Sequence, residues 1–378
     1  MVFTTKENEG SMDILNINDA KVLIGTNKVV FVTGVTGQDG SHMVDHLLKT
    51  TDYLIFGGVR RLSIKNHENI EHLDNNSRFH LVNFDLSDAH SINKIVESLK
   101  PDYFINLAAQ TFVGSSWDFP AQTWECNTTG IIHILEAIRQ HKPSCRFYNA
   151  GSSEEYGNVV YTPQDENHPA RPRSPYGASK SAARQLVKVY RESYRLYAIQ
   201  GLLFNHEGTR RGEEFVTRKI TKGVARIKKA IIEGKSFVPI ELGNVKAKRD
   251  WSDAEDFVKG IWLMLNQKAP NEYVLSSNET HTIAEFVWYA FKAADIEGAW
   301  HGQSESSEFS ISTKDAIKYD PVVSVLVKIN PKFYRPAEVD LLLGDSTKAR
   351  KELGWKPETS FEQLVDKMVK NDLKQIGL

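Results

Sequence analysis

The run VVFVTGVTGQDG, residues 29–40, decides the fold class of this chain. Apolar residues lead into glycines spaced GxxGxxG at Gly34, Gly37 and Gly40, and apolar residues at helical spacing follow. Glycine allows the tight turn and the close backbone approach that a pyrophosphate at a helix N-terminus needs. Three spaced glycines alone also fit an ordinary turn, but a strand, a glycine turn and a helix in this order predict a dinucleotide-binding unit.

Outward from this run, short apolar segments alternate with segments of helical period as far as residue 205. The alternation predicts an α/β fold, a Rossmann-type doubly wound parallel sheet that binds ligands at the carboxyl ends of its strands. The looser rhythm beyond residue 205 predicts a smaller C-terminal substrate-binding domain. We assign residues 1–27 to a flexible N-terminal extension, in which residues 22–24 are apolar enough to pack; 28–205 to the Rossmann domain, with 248–278 returning to it; 206–247 and 279–378 to the second domain; and 302–312 to an exposed loop.

The charges of the chain are balanced at 47 basic and 48 acidic residues, so no overall field favours nucleic acid or an anionic membrane. Cys126 and Cys145 form neither a CxxC pair nor a Cys/His cluster, which argues against a metal site and a disulfide framework. No apolar run approaches the ~20 residues that span a bilayer, and the first residues do not resemble a signal peptide. These features predict a cytoplasmic protein without a metal ion, a nucleic-acid partner or a membrane partner.

Two arginines, Arg60 and Arg61, follow the predicted second strand. An NAD-binding protein places a carboxylate here to bind the ribose 2'-hydroxyl, whereas guanidinium groups suit the 2'-phosphate of NADP. A solvated basic turn is the alternative, and we favour NADP. Asp85, at the end of the third strand, either accepts a hydrogen bond from the adenine amine or caps the next helix.

Tyr176 and Lys180 are four residues apart on a predicted helix, so their side chains share a face. A nearby ammonium group and the positive nicotinamide favour the phenolate of Tyr176, which can then take a proton from a sugar hydroxyl. YxxxK also occurs by chance on amphipathic helices. Downstream of a glycine turn and after the predicted fifth strand, it resembles the signature of short-chain dehydrogenases/reductases.

Residues 149–157 read NAGSSEEYG at the carboxyl end of the predicted fifth strand, where ligand-facing residues belong. Ser152 can form a hydrogen bond with the hydroxyl that is oxidised, and Glu154 can act as an acid or a base. A carboxylate two residues after the serine suggests removal of a proton from carbon, which elimination of water requires. Two adjacent glutamates, Glu154 and Glu155, on a solvated turn are the alternative.

Longer blocks of the sequence closely resemble GDP-mannose 4,6-dehydratases, and the resemblance extends over nearly all of residues 29–373. The blocks are residues 32–40, 106–110, 203–220, 242–244, 248–251 and 334–345. The resemblance implies that NADP+ oxidises a GDP-sugar at C4, that water is lost across C5 and C6, and that the hydride returns to C6. It implies conversion of GDP-mannose to GDP-4-keto-6-deoxymannose, a step of deoxysugar biosynthesis such as that of GDP-fucose.

The resemblance also assigns roles residue by residue. Tyr176 is the base at C4, and Lys180 orients the nicotinamide ribose. Ser152 binds the substrate hydroxyl, and Glu154 removes the C5 proton. The implied NADP contacts are Gly34, Gly37, Gln38, Asp39, Gly40, Arg60, Arg61, Asp85, Leu86, Leu107, Ala108, Ala109, Tyr176, Lys180, His206 and Arg211. The implied GDP-sugar contacts are Gln110, Ser116, Ser153, Asn205, Val216, Lys219, Arg249, Arg335 and Glu338, and a surface salt bridge is the alternative for each charged one.

Several positions depart from the residues that these dehydratases usually carry. Phe112 stands in place of histidine, Gly151 of serine, Ser152 of threonine, Glu155 of leucine, and the Ser-Asp pair at 252–253 of Gly-His. These departures do not change the assignment to the dehydratase class, but they leave the identity of the sugar undecided. A GDP-linked manno-heptose or N-acetylhexosamine is the alternative to GDP-mannose. The turn at residues 60–61 resembles a loop through which family members contact the neighbouring subunit's cofactor, which implies a homo-oligomer, either a dimer or a tetramer.

Two other functions use the same cofactor signature. A sugar-nucleotide 4-epimerase or reductase needs Tyr176 and Lys180 but no base at C5, so Glu154 argues against it. A catalytically silent NADP-binding regulatory protein needs none of these side chains, and a candidate for every catalytic role argues against that reading.

Overall fold

The structure is a computed structural model that describes residues 12–63, 66–311, 325–334 and 341–378. Within these ranges the strands are β1 (Ile14–Leu15), β2 (Val29–Thr33), β3 (Leu54–Val59), β4 (Phe79–Asn83), β5 (Tyr103–Asn106), β6 (Arg146–Ala150), β7 (Tyr197–Leu203), β8 (Asn205–Glu207), β9 (Ile240–Leu242), β10 (Lys248–Arg249), β11 (Trp251–Asp253), β12 (Val274–Leu275), β13 (His281–Thr282), β14 (Gly298–His301), β15 (Glu308–Ile311) and β16 (Val325–Ile329). The α-helices are α1 (Ile17–Leu23), α2 (Gln38–Thr50), α3 (Ala89–Leu99), α4 (Ser115–Asp118), α5 (Pro120–Trp124), α6 (Gly130–His141), α7 (Pro175–Tyr194), α8 (Val216–Ile232), α9 (Ala254–Leu265), α10 (Ile283–Ala293) and α11 (Phe361–Gln375). Short 3-10 or π-helical turns lie at Glu71–Leu73, Glu125–Thr129, Ser153–Glu155, Ser304–Ser306, Pro331–Phe333 and Ala349–Leu353.

The central sheet has eight strands in the order β1-β4-β3-β2-β5-β6-β7-β12. Every neighbouring pair in it is parallel. The chain runs outward from β2 through β3 to β4, and then crosses back to β5 on the other side of β2. This reversal places the switch point, where doubly wound sheets bind ligands, between β2 and β5. The predicted Rossmann-type fold is confirmed.

Both faces of the sheet are covered by helices, because alternate side chains of each strand enter different cores. From β2, Val30 and Val32 pack with residues of α2 and α9. Val29 and Phe31 pack with residues of α3, α6 and α7 on the other face. Burial on both faces explains why the strands read as continuous apolar runs rather than as alternating ones.

Residues 12–27 differ from the flexible extension that composition suggests. Strand β1 pairs in parallel with β4 at the edge of the central sheet. Helix α1 begins after Asn16, whose side chain accepts a hydrogen bond from the backbone N–H of Asn18. Ile17 and Ala20 are buried, whereas Val22 is 82% exposed. Helical spacing, rather than the apolar run at 22–24, decides which side chains reach the body of the protein.

The second structural region is built around a four-stranded sheet in the order β14-β15-β16-β9. Side chains from this sheet form one apolar core with α8, α10 and α11. The prediction of an exposed loop at 302–312 is wrong for residues 308–311, because β15 pairs with β14 and β16 and its Phe309 is fully buried. The polar residues around Phe309 hide this strand from composition alone.

The chain between residues 248 and 355 returns to the central sheet in more than one place. Strand β12 joins its edge beside β7. Trp355, within the range assigned to the second domain, packs instead in the core beneath α2 and α9. Its indole N–H donates to the carbonyl of Asp256 at 2.8 Å. The two regions are therefore tied together by several crossings of the chain.

Candidate active site

The glycine turn after β2 is closely packed and follows the predicted pattern. Gly34 has a φ of +68°, and a Cβ atom on it would lie 2.9 Å from the backbone nitrogen of Ala108. A Cβ atom on Gly40 would lie 2.1 Å from the carbonyl oxygen of Gly34. Helix α2 begins directly after Gly37, which makes no side-chain cap hydrogen bond. The turn therefore presents backbone N–H groups of a helix N-terminus at the switch point, as a pyrophosphate site requires.

The loop after β5 is held against this turn by Thr33. Its hydroxyl accepts hydrogen bonds from the N–H groups of Leu107 and Ala108, at 3.1 and 3.0 Å. The same hydroxyl donates to Asn106 Oδ1 at 2.7 Å. Gln110 is fixed by Asn127, which accepts from its backbone N–H at 2.9 Å. The two strand ends that flank the switch point thus form one rigid unit.

A cleft of about 600 Å³ opens at the carboxyl ends of the strands and extends toward the second region. Predicted site residues that line it are Asp39, Leu107, Ala109, Ser152, Ser153, Glu154, Tyr176, Lys180, Asn205, His206, Arg211, Val216, Lys219 and Arg249. The structure thus brings the four predicted catalytic side chains into one cavity with contacts expected for both the cofactor and the substrate.

Ser152 and Tyr176, two of the predicted catalytic residues, each lie close to the start of a helix or helical turn. Ser152 caps the short turn Ser153–Glu155, and its hydroxyl accepts from the N–H of Glu154 at 3.2 Å. Ser174 caps α7, accepting from the N–H of Gly177 at 3.0 Å, and Pro175 is the first residue of that helix. The side chains of Ser152 and Tyr176 both line the cleft, and the Ser152 hydroxyl acts to lower the pKa of the Tyr176 phenol.

Tyr176 is a neutral phenol in this environment. Burial raises its pKa, and the carboxylates of Glu154 and Glu155 act in the same direction. The hydroxyl of Ser152 and the charge of Arg211 oppose the rise without cancelling it. Desolvation of the phenol is thus the largest influence from the protein's own groups, and the role of the ammonium together with the nicotinamide charge in favouring the phenolate stays a prediction.

Lys180 lies with its Nζ atom 5.9 Å from the centre of the Tyr176 ring. Nζ donates to the carbonyl oxygen of Ala150 at 2.8 Å. Burial lowers the pKa of Lys180 to about 8, although Glu155 and Asp39 raise it. The ammonium group of Lys180 therefore loses its proton at a lower pH than an ordinary lysine does.

The two adjacent glutamates have different surroundings, and neither is on a freely solvated turn. Glu154 is half-buried and lines the cleft near Tyr176. Glu155 is fully buried beneath the turn. Of the two, Glu154 is the carboxylate that can reach a ligand in the cleft.

Asp39 and His206 form an ion pair between the start of α2 and strand β8. His206 Nε2 lies 2.8 Å from Asp39 Oδ2, and Nδ1 lies 2.7 Å from the carbonyl oxygen of Phe204. Burial opposes both charges, but the mutual attraction lowers the pKa of Asp39 and raises the pKa of His206. Gln38 donates to Asp39 Oδ1 and to the carbonyl oxygen of His206, so the pair joins the glycine turn to the β8 region.

The far end of the cleft offers groups for an anion. Helix α8 begins at Val216, and its N-cap residue Phe215 forms no side-chain cap, so backbone N–H groups face the cleft at a positive helix end. Lys219 Nζ lies over the ring of Phe333 at 3.8 Å. The buried Oδ1 atom of Asn205 has no hydrogen-bond partner among the described residues. A ligand with donors and negative charges satisfies this arrangement.

Other predicted site residues lie outside the cleft. Arg60 and Arg61 are exposed at the end of β3. Burial raises the pKa of the Cys126 thiol; the charge of Asp85 adds to the rise, and the charge of Arg60 opposes it. Asp85 does not cap α3, because Asp88 does; Asp85 instead accepts from the N–H and hydroxyl of Ser87. The remaining residues that do not line the cleft are Gly34, Gly37, Gln38, Gly40, Leu86, Ala108, Gln110 and Ser116.

Two of those residues have internal partners instead. The side-chain amide of Gln110 donates to the carbonyl oxygen of Phe112 at 2.9 Å. Ser116 is fully buried, and its hydroxyl donates to the carbonyl oxygen of Val113 at 2.7 Å. Both therefore shape the loop that carries Phe112. Arg335 and Glu338 lie outside the described residues.

Sequence reasoning missed several residues of the cleft. They are Arg173, Glu214, Phe215, Lys332, Phe333 and Tyr334, among others. Glu214, Phe215 and Tyr334 lie inside blocks that carry the family resemblance. Arg173 precedes Tyr176 by three positions, and Lys332 and Phe333 precede the last block directly, so proximity to a motif was the available signal.

Among the described residues there is no group of three or more His, Cys, Asp or Glu side chains placed to hold a metal ion. No helix in the described ranges is long and apolar enough to cross a membrane.

A model of the GDP-mannose 4,6 dehydratase family matches residues 31–368. A GDP-mannose 4,6 dehydratase from Drosophila melanogaster is 44% identical over 356 residues, which cover 92% of this chain and 87% of that protein. The chain belongs to the GDP-mannose 4,6-dehydratase family. This is a family of hydro-lyases.

Solved structures similar to this dehydratase-family chain include proteins of different activity. One is a dTDP-glucose 4,6-dehydratase from Bacillus anthracis in complex with NAD, with a TM-score of 0.73 and 19% identity, covering 92% of this chain and 97% of that one. Another is a UDP-glucose 4-epimerase from Thermotoga maritima with UDP-glucose, with a TM-score of 0.74 and 22% identity, covering 92% and 99%. Dehydratases and epimerases share the fold, so the fold alone does not separate these activities.

Proposed function

We propose that this protein is an NADP-dependent GDP-mannose 4,6-dehydratase that forms GDP-4-keto-6-deoxymannose. One observation carries the proposal: Ser152, Glu154, Tyr176 and Lys180 line a single cleft at the carboxyl ends of a parallel sheet in a member of this family. The direct test is incubation with GDP-mannose, with mass spectrometry to detect a product lighter by one water. Return of unchanged GDP-mannose, or of a 4-epimer of equal mass, contradicts the proposal.

The residues at the switch point fit a nicotinamide dinucleotide. Gly34 takes a positive φ that forms the tight turn, and Gly40 lets α2 pack closely against the Gly34 carbonyl, as in the glycine fingerprint of dinucleotide-binding folds. Asp39, Leu107, Ala109, Tyr176 and Lys180 all line the cleft, which supports assigning this side of it to the cofactor. The cofactor, when bound, supplies reversible oxidation of the sugar at C4.

The side chains then handle the protons of the reaction. Ser152 binds the C4 hydroxyl, and Tyr176 takes its proton as the alcohol becomes a ketone. Because burial holds Tyr176 neutral, a positive charge next to the phenol is required to make it a base, and the nicotinamide ring of the bound cofactor provides one. The new ketone acidifies the C5 proton, which Glu154 removes and then passes to the departing C6 hydroxyl, so that one water leaves the sugar.

The nucleotide diphosphate of the substrate lies along the far part of the cleft. The N-terminus of α8 and the side chains of Lys219 and Arg249 supply the positive potential for it. The family resemblance adds Arg335 and Glu338 as contacts. Asn205 supplies a buried acceptor for a donor on the ligand.

NADP is expected to bind more tightly than NAD, because Arg60 and Arg61 follow β3 where a carboxylate would otherwise bind the ribose. Arg60→Ala should weaken NADP binding roughly 10- to 100-fold and leave NAD binding almost unchanged. Titration of both cofactors into stripped protein measures this. Arg195→Ala, an exposed arginine at the end of α7, is the matched control for loss of a positive charge. Equal affinity of the parent protein for the two cofactors contradicts the 2'-phosphate assignment.

Guanine nucleotides are expected to stabilise the protein more than other nucleotides. Thermal unfolding with GDP, GDP-mannose, UDP-glucose or dTDP-glucose at equal concentration measures this preference, because a ligand that binds the folded state raises the unfolding temperature with its affinity. A larger rise with UDP- or dTDP-sugars than with GDP-mannose would require withdrawal of the nucleotide assignment.

A GDP-sugar other than mannose is a second candidate substrate, favoured by one observation. Phe112, where relatives usually carry histidine, lines the cleft and packs edge to face on Phe215 with ring centres 6.0 Å apart. This wall is apolar where a histidine would offer hydrogen bonds to a sugar. GDP-linked manno-heptose and N-acetylhexosamine belong in the same mass-spectrometric panel.

We further propose a cytoplasmic homo-oligomer, either a dimer or a tetramer. Helices α4 and α5 and the residue between them expose Trp117, Phe119 and Trp124, which are 46%, 59% and 45% accessible. Large apolar side chains grouped on a surface are typical of a protein interface.

A further inference from the structure

Glu155 is a fully buried glutamate directly beneath the turn that carries Ser152. A Cβ atom on Gly151 would lie 2.3 Å from the carbonyl oxygen of Gly201 and 2.7 Å from Glu155 Oε1, so glycine at 151 lets the strand and the carboxyl group pack closely. No step described above uses Glu155.

The carboxyl group of Glu155 joins the Ser152 turn to the neighbouring strand and helix. Oε1 accepts from the backbone N–H of Ser152 at 2.9 Å and from Gln200 Nε2 at 2.8 Å. Gln200 Nε2 also donates to the carbonyl oxygen of Lys180 at 3.1 Å. Oε2 is buried and has no hydrogen-bond partner among the described residues.

The hydrogen bond between Gln200 and Glu155 is the last one in a buried chain of side-chain hydrogen bonds that crosses the sheet from β2 to β7. Thr33 donates to Asn106 at 2.7 Å, Asn106 to Asn149 at 2.9 Å, and Asn149 to Gln200 at 2.6 Å. Thr33 also fixes the loop after β5. Loss of the acceptor at Glu155 leaves the Ser152 N–H and one N–H of the Gln200 amide without a partner, which is costly in a buried site.

The surroundings of Glu155 contain positive and neutral titratable groups. Arg184 and Lys180 act on it from α7, and Arg184 is itself paired with Glu272 at 2.8 Å. Tyr148 from β6, Tyr156 from its own turn and Tyr176 from α7 all have pKa values that Glu155 raises. A negative charge on Glu155 therefore disfavours the phenolate of Tyr176.

We propose that Glu155 is a positioning residue for this active site. Its carboxyl group sets Ser152 against Tyr176, and its protonation state makes the ionisation of Tyr176 depend on pH. This inference rests on the roles of Ser152 and Tyr176 in the proposed function.

The direction of the pH effect follows from burial, which raises the pKa of Glu155 to about 7. Below that pH the carboxyl group is neutral in the folded protein, and it does not oppose ionisation of the Tyr176 phenol. Above that pH the carboxylate forms and makes the phenolate of Tyr176 harder to form.

The raised pKa of Glu155 also affects folding stability, because above pH about 4.5 the folded state still binds a proton that the unfolded state has released. The contribution of Glu155 to folding stability is therefore greatest at low pH and is lost as the pH rises through about 7.

The test compares Glu155→Gln, which resembles the protonated acid, with Glu155→Leu, which has no hydrogen-bonding group. Rates of sugar oxidation are measured with the NADP-bound protein from about pH 6 to pH 9. Glu155→Gln should stay within about threefold of the parent rate at low pH and gain on it as the pH rises through 7, since it never becomes an anion. Glu155→Leu should lose roughly 10- to 100-fold in turnover at every pH, with a smaller change in KM, because Ser152 loses its anchor.

Asp256→Asn is the matched control. Asp256 is a buried carboxylate that accepts two backbone N–H groups, from Glu358 and Thr359, and it does not line the cleft. Its substitution should leave the shape of the pH profile unchanged. Thermal unfolding of the cofactor-free proteins provides a readout independent of catalysis: the parent should lose stability relative to Glu155→Gln between about pH 5 and pH 8.

Parallel pH profiles and parallel melting curves for the parent and Glu155→Gln, together with full activity of Glu155→Leu, overturn the inference. If Tyr176→Phe is inactive in the same experiment, the inference fails alone and the proposed function stands. If Tyr176→Phe remains active, the proposed function itself fails.

Discussion

Replacing Tyr176 with phenylalanine is expected to abolish oxidation of the sugar while leaving the fold intact. The change removes one oxygen atom from a side chain that is 7% exposed, and with it the base that takes the C4 hydroxyl proton. The loss of a positioned general base is worth at least ~10²–10⁴-fold in rate. The measurement is absorbance of reduced nicotinamide after GDP-mannose is mixed with the NADP-bound protein, and none should develop.

Tyr194→Phe is the control. Tyr194 is the last residue of the same helix, its side chain is 51% accessible, and it does not line the cleft. It should oxidise the sugar at the parent rate. Normal absorbance in Tyr176→Phe would show that another group is the base at C4, and the proposed roles of Ser152 and Lys180 would have to be revised with it.

Replacing Glu154 with glutamine is expected to separate oxidation from elimination. The amide is close in size to the carboxylate but cannot accept the C5 proton, so the reaction should stop after the ketone forms. Some reduced nicotinamide should accumulate, while formation of the 4-keto-6-deoxy product should fall ~10²–10⁴-fold. In deuterium oxide the sugar recovered from Glu154→Gln should carry almost no deuterium at C5, measured by mass spectrometry and NMR.

An exposed glutamate on α7, Glu192→Gln, controls for the loss of one carboxylate and should retain deuterium incorporation. Full dehydration by Glu154→Gln with normal deuterium entry would assign the base at C5 to another residue that lines the cleft. The experiment also discriminates between activities that the fold permits equally, because a 4-epimerase has no use for a base at C5.

Local pattern was sufficient for the fold class and for much of the catalytic set. The glycine spacing after Thr33 requires a turn that only glycine fits, and the apolar strands have to be buried on both faces. Tyr176 and Lys180 share a helix face because they are four residues apart, which no tertiary contact has to arrange. The cofactor turn, the parallel sheet and this pair could therefore be predicted from the sequence.

Tertiary structure decided the features that depend on desolvation and on distant partners. Adjacent glutamates at 154 and 155 look alike in sequence, yet one faces the cleft and the other is buried next to Gln200 from β7. The high pKa of Tyr176 arises from burial, which short-range spacing does not reveal. Likewise, β1 and β15 are strands because of the partners they meet, β4 in one case and β14 and β16 in the other. Sequence by itself determined the glycine turn, the alternation of buried strands with helices, and the Tyr176–Lys180 spacing. Packing between remote segments determined which side chains are buried, charged and within reach of a ligand, because dielectric environment and contact are properties of the assembled fold.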